Sequence, residues 1–302
     1  MSYEYRLPHS GRPDFFDPDA KSASTLKIDK QISELDLKSF LYTLPGISEV
    51  EVDSDSGYYE SCNGVLYSKG MEKLVWYPPK KQDVVFVVPD SVKVICEDAI
   101  CGQNLKHICG GSGICAIDSR FCSIITIASL DKFDIQSGAF SSVNGVLYNK
   151  AMSDLIACPS KVFCNVESDR LRTIKQNALS MNQRISHITL GEHIQNVESG
   201  AFLGSSIVSL SGGFGLRSIG VGAFADCKKL ETAVLQEGLI SIGAGAFNNC
   251  RRLKELLIPK TVTSIGFDRS YSTISKKTTI LCERGTYAEA YAREHDHVIN
   301  YI

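Results

Sequence analysis

Apolar positions in the last third of the chain return at a fixed interval. Val197, Ile219, Ile242 and Ile265 lie 22, 23 and 23 residues apart. Ala201-Phe202, Ala223-Phe224 and Ala246-Phe247 keep the same phase, as do Cys227 with Cys250 and Leu230 with Leu253. A sustained period of this length is the signature of a stacked repeat, in which each unit buries its apolar face only against its neighbours. Within the unit 230–252, Leu230, Ala233 and Leu235 occupy the first, fourth and sixth positions, and Leu253, Leu256 and Ile258 repeat the arrangement. This spacing predicts a short strand with its apolar residues in the core, followed by a turn-rich return. Gly220, Gly243 and Gly266 follow each isoleucine and are expected at backbone turns that glycine enters without a Cβ penalty. The Ala-Phe pairs are expected in short helical or 3-10 turns, with the phenylalanines stacked as a ladder.

Toward the N-terminus the same phase continues with looser spacing: Ile95 with Ala99-Ile100, Ile117 with Phe121, Ile135 with Ala139-Phe140, and Ile174 with Ala178-Leu179. A longer repeat accounts for much of the irregularity. The segment SCNGVLYSKGMEKLVWYPPK from Ser61 recurs as SVNGVLYNKAMSDLIACPSK from Ser142, with eleven of twenty positions identical. In each copy two strand-like runs flank a polar turn, at 69–73 or 150–154, which predicts an inserted β-hairpin. Near the end, TYAEAYAREH places Thr286 and Glu289 as a capping box and Ala288, Tyr291 and Ala292 on one helical face. That helix is expected to cap the stack.

Composition narrows the functional classes. The 302 residues carry 32 Lys and Arg against 34 Asp and Glu, a net charge of −2, so no global basic field exists and nucleic acid is not an expected partner. No apolar stretch approaches the roughly 20 residues of a transmembrane helix. The first residues lack the apolar core and cleavage site of a secretory signal. Eleven cysteines without close-set metal-ligand pairs are expected to be mostly reduced and buried.

No catalytic constellation emerges. His107 and His187 share a strand register but are 80 residues apart, several rungs from one another. His295 and His297 flank Asp296 and are expected as cations at a helix C-terminus rather than zinc ligands. His193 beside Glu192 is expected to be solvated. Cys109, Cys115 and Cys122 stand six and seven residues apart, unlike a zinc or redox motif, and the intervening GGSG lacks the phosphate-loop spacing. Cys227 and Cys250 follow the repeat and read as small core residues. The pairs Asp53/Asp55 and Asp17/Asp19 offer too few ligands for calcium. No catalytic residue, metal or cofactor is expected.

The motifs VGAFADCKKL, AGAFNNCRRLKELLIPKTVTSIG, the NGVLYxK hairpins and the GTYAEAYAREH ending resemble units of the BspA-like leucine-rich repeat proteins, over about residues 26–302. The resemblance implies an α/β leucine-rich repeat solenoid, mainly β with short helical or 3-10 turns, a parallel concave sheet, inserted β-hairpins and a C-terminal capping helix. Residues 1–25 are then a tail or linker, 26–285 the solenoid with hairpin-bearing repeats near 58–80 and 141–161, and 286–302 the cap. It also implies a bacterial surface or secreted protein that recognises a protein or glycan, with no family catalytic motif to carry over. The missing signal leaves an intracellular interaction scaffold as the alternative, and an enzyme of unknown type as a remote one.

In such a solenoid the outward strand positions of successive rungs assemble one extended recognition surface. By phase these include Lys106 and His107; Ser186, His187 and Thr189; Ser209; Glu231 and Thr232; and Lys254 and Glu255. A second candidate is the aromatic group Tyr59, Trp76 and Tyr77 of the first hairpin copy, read either as an interface or as packing of the N-terminal rungs.

Overall fold

Each repeat period closes one coil, and successive coils stack in parallel. The computed structural model describes residues 3–14, 17–35, 43–118, 122, 124–267 and 272–302; Phe121, assigned above to an Ala-Phe position, lies outside them. The chain divides into two units, Met1–Ser142 and Val143–Ile302, each with its own stack.

In the second unit, strands His187–Thr189, Ser209–Ser211, Thr232–Val234, Glu255–Leu257, Thr279–Cys282 and Ile299–Tyr301 form one parallel sheet in chain order. The two-residue strands Thr173–Ile174, Asn196–Val197, Ser218–Ile219, Ser241–Ile242 and Ser264–Ile265 form a second parallel sheet. On the remaining side the turns also bond from coil to coil, for example Phe202 N–H to Ala223 O at 2.7 Å and Phe224 N–H to Ala246 O at 2.8 Å. Backbone hydrogen bonds therefore run along the stack on three sides, which is what allows a coil with so little regular structure to be buried. Between them lies a continuous apolar core. Phe202, Phe224 and Phe247 are fully buried and stack with centroids 5.0 and 5.3 Å apart and planes within 8° and 7°. This is the expected ladder.

The glycines after each isoleucine have a different role from the one the sequence implied. None of Gly220, Gly243 and Gly266 is among the positive-φ residues. They stand where consecutive coils touch: a Cβ on Gly243 would lie 2.5 Å from the Gly220 carbonyl carbon and from Val221 N, and one on Gly220 would lie 2.5 Å from Glu198 C. The left-handed turn falls instead at Asn177 (φ 57°), Gly200 (63°), Gly222 (60°) and Gly245 (65°). Asparagine replaces glycine there because it tolerates that conformation better than other side chains.

In the first unit, Glu4–Arg6, Thr25–Ile28 and Glu49–Val52 form one parallel sheet, and Val85–Val88, His107–Gly110 and Lys132–Ile135 another. The opening 25 residues, expected as a tail or linker, thus contribute a strand, because Tyr5 and Leu7 alternate into the core. The expected hairpin is present, Val65–Ser68 pairing antiparallel with Lys73–Trp76. A further strand missed in the sequence, Tyr59–Cys62, pairs with Val65–Ser68 across Asn63-Gly64. Both turn residues have positive φ, 49° and 71°, as a two-residue hairpin turn requires. Asn144-Gly145 adopts the same conformation ahead of the pair Val146–Asn149 and Asp154–Ala157.

The C-terminal helix Tyr287–Glu294 buries Ala288, Tyr291 and Ala292, and the Thr286 hydroxyl accepts from Glu289 N–H at 3.3 Å. The Glu289 carboxylate accepts from Gly285 N–H at 2.6 Å and is held down to about 2 by its bonds to Tyr301, Arg293 and that N–H. The chain then returns as Ile299–Tyr301 to extend the sheet. His297 was expected as an exposed cation but is buried, its Nδ1 3.3 Å from Thr278 O, and burial lowers its pKa. The unfolded imidazole takes a proton near pH 6.5, the folded one only below that. Stability is therefore complete above about pH 6.5 and falls as the pH drops through the folded value. Urea midpoints measured at pH 7.5 and 5.5 should diverge for the native protein and diverge less in His297→Gln; an unchanged divergence would assign the effect elsewhere.

Candidate recognition surface

Alternation along the longer strands sorts side chains between core and solvent. Ile188, Leu210, Ala233, Leu256 and Ile280 point inward and are buried. Strand register aligns the outward residues in two columns: His187, Ser209, Thr232, Glu255 and Thr279, and beside it Thr189, Ser211, Val234, Leu257 and Leu281. His187 Nδ1 and Ser209 Oγ are 2.8 Å apart, linking adjacent rungs. The first column is mostly polar, whereas the second changes from hydroxyls to aliphatics toward the C-terminal end. Ser186, Glu231 and Lys254 precede these strands and join consecutive rungs through their backbones, as in Lys254 N–H to Glu231 O at 2.9 Å.

Lys106 and His107 belong to the first unit, and both are half-buried. Lys106 Nζ donates to Ser129 O at 3.0 Å, and His107 Nε2 lies 4.0 Å from Asp134 Oδ2. Burial lowers the His107 pKa, so its imidazole is disposed to remain neutral.

Trp76 and Tyr77 are not surface residues. They are 1% and 0% exposed: Trp76 ends a strand paired on both sides of the sheet, and Tyr77 N–H bonds to Ala99 O at 2.6 Å. The Tyr77 ring packs 4.6 Å from Phe86, and its hydroxyl donates to Asp83 at 3.2 Å. Ala157 and Cys158, their counterparts in the second copy, are equally buried. The difference between copies is therefore one of core volume. Tyr59 is half-buried, with its hydroxyl donating to Ser33 O at 3.1 Å.

The periodic cysteines form part of an internal polar column. Asn182, Ser205, Cys227, Cys250 and Thr273 recur at one coil position and are buried. Cys227 Sγ donates to Phe202 O and Cys250 Sγ to Phe224 O, both at 3.1 Å, while Asn182 Nδ2 donates to Val162 O at 2.9 Å. These bonds satisfy carbonyls of the neighbouring coil. Asn182 was missed in the sequence although it stands two periods before Cys227. Burial raises the Cys227 thiol to about 11 and pushes Cys250 up as well. An alkylating reagent applied to the native protein should therefore modify exposed Cys115 first and reach Cys227 and Cys250 only on unfolding, as read by peptide mass spectrometry. Equal rates at all three would contradict this burial. Among the described residues no cluster of three or more His, Cys, Asp or Glu side chains is arranged to hold a metal ion.

Stacked parallel coils with inward strand leucines and an aromatic ladder define a leucine-rich-repeat solenoid. Over residues 163–276 the chain matches the BspA type leucine rich repeat region in six copies. Similar solved structures include a leucine rich cell surface protein from Faecalibacterium prausnitzii A2-165, at 16% identity and TM-score 0.52 over 84% of this chain and 83% of that one. A leucine-rich repeat protein from Eubacterium ventriosum ATCC 27560 shows 15% identity and TM-score 0.55 over 86% and 75%. The pneumococcal vaccine antigen PcpA shows 15% identity and TM-score 0.53 over 99% and 83%. At these identities the likeness is one of fold. None of the curated proteins compared with the chain matches it.

Proposed function

We propose that this chain is a non-enzymatic recognition and adhesion module, displayed at a bacterial cell surface or secreted, that holds a protein or glycan partner on the outer face of its longer-strand sheet. The observation that carries the reading is the in-register column His187, Ser209, Thr232 and Glu255, with Thr189 beside it on the first strand. Parallel rungs present these groups at intervals of about 4.8 Å on a framework with its own buried core, so partner contact requires little reordering. Two of the similar folds, the Faecalibacterium cell surface protein and the pneumococcal antigen, support an exposed location. Ser186, Glu231 and Lys254 flank the column and are proposed as its rim, and Lys106 and His107 as a smaller contact in the first unit.

The eleven unpaired thiols favour a second reading, an intracellular scaffold. Protease shaving of intact source cells separates the two. Release of this chain with a cytosolic control retained is the expected result, and retention of both would overturn the surface location.

A further inference from the structure

The turns that feed the longer strands carry a cation ridge. Lys228-Lys229, Arg251-Arg252 and Lys276-Lys277 occupy equivalent positions in three consecutive coils, each pair directly before the strand-entry residue. Equivalence follows from the backbone: Leu230 N–H bonds to Cys227 O, Leu253 N–H to Cys250 O and Thr278 N–H to Ser275 O, so each cation pair forms the two central residues of the same turn. All six are exposed, and among the described residues none has a carboxylate partner in an ion pair. Among the described residues their side-chain hydrogen bonds are Lys229 Nζ to Ser206 Oγ at 3.4 Å and Arg251 Nε to Asn249 Oδ1 at 2.8 Å. The nearby Asp226 is engaged by Asn249, while Glu231 precedes one adjoining strand and Glu255 opens the next. Six cations so arranged on a chain of net charge −2 form a local field that overall composition conceals.

We propose that this ridge binds a sulfated polysaccharide lying along the stack. Cation pairs repeat at about 4.8 Å, a density suited to a polymer with closely spaced, permanently ionised groups. The three turns expose no aromatic for stacking on nucleic-acid bases and no aliphatic for insertion into a bilayer. The site lies beside the proposed sheet-face contact and does not depend on it.

The test uses the full chain and heparin as the sulfated probe, with hyaluronan, polyphosphate and duplex DNA as parallel arms. Lys229→Ser, Arg252→Ser and Lys277→Ser are combined, because Ser206 already occupies the position of Lys229 one coil earlier; an unchanged melting curve confirms that the variant folds. Heparin should bind the native chain with a steep salt dependence, and the triple variant should bind at least about tenfold more weakly with about half the salt slope. No heparin binding, or equal binding by the variant, overturns the ridge. Equal or tighter binding of polyphosphate, DNA or unsulfated hyaluronan overturns the assignment to a sulfated glycan. Loss of heparin binding in a Thr232→Ala/Glu255→Ala variant with the ridge intact would place the contact on the sheet face instead, and so overturn the ridge while sparing the proposed function.

Discussion

Phe224→Ala should destabilise the second unit by about 3–5 kcal/mol, measured by urea denaturation. The ring is fully buried and stacked on both sides, against Phe202 and Phe247. The space it vacates lies between coils whose separation is fixed by hydrogen bonds from Phe202 N–H to Ala223 O and from Phe224 N–H to Ala246 O. Because those bonds resist collapse, the cost should fall at the upper end for an aromatic truncation. Phe224→Leu, which refills part of the volume, should recover a substantial fraction. A loss below about 1 kcal/mol for the alanine variant would show that the ladder does not set the coil spacing.

The second large effect is expected at Gly243. Adding one methyl group should cost about 3 kcal/mol, because the new Cβ would stand 2.5 Å from backbone atoms of Gly220 and Val221. Backbone held in a stack cannot move aside as a flexible side chain can. The contrast is Gly222, where φ is 60° and the nearest atom to a new Cβ is 3.8 Å away. Gly222→Asn, which copies Asn177 at the same position two coils earlier, should cost less than about 1 kcal/mol. If the two variants unfold at the same denaturant concentration, close approach is not what requires glycine after the isoleucine.

The repeat period disclosed most of the fold because each position in a coil faces one environment throughout the stack. Val197, Ile219, Ile242 and Ile265 sit in the same column of the short-strand sheet, and the Ala-Phe pairs mark the same turn. What the period left open was the cause behind a repeated residue. Gly243 and Gly222 are indistinguishable in a single sequence, yet one avoids a steric clash and the other permits a left-handed turn. The strand Tyr59–Cys62 was obscured because all four of its residues are half-buried and show no alternation, although Asn63-Gly64 marks the turn that follows it.

The candidate surface was legible to the extent that it depends on strand alternation. His187, Thr189, Thr232 and Glu255 are exposed as expected, with Ser209 half-buried between them. Trp76 and Tyr77 show the limit of that reasoning. Two adjacent large residues at a strand end can both be buried when one points into the core and the other is enclosed by the following turn, and alternation cannot anticipate the second. His297 was misjudged for a related reason: the chain beyond the helix returns to the sheet and encloses the ring that the helix alone would have left exposed.

The central claim is that the outer face of the longer-strand sheet engages a partner. The most direct measurement places a photo-crosslinking residue at Thr232 and, separately, at Ser264 on the short-strand sheet, then exposes each protein to intact host cells with and without excess unlabelled chain. Saturable crosslinking from Thr232 that the unlabelled chain abolishes, with none from Ser264, is the predicted result. Crosslinking from Ser264 alone, or equally from both positions without competition, would contradict recognition through this face.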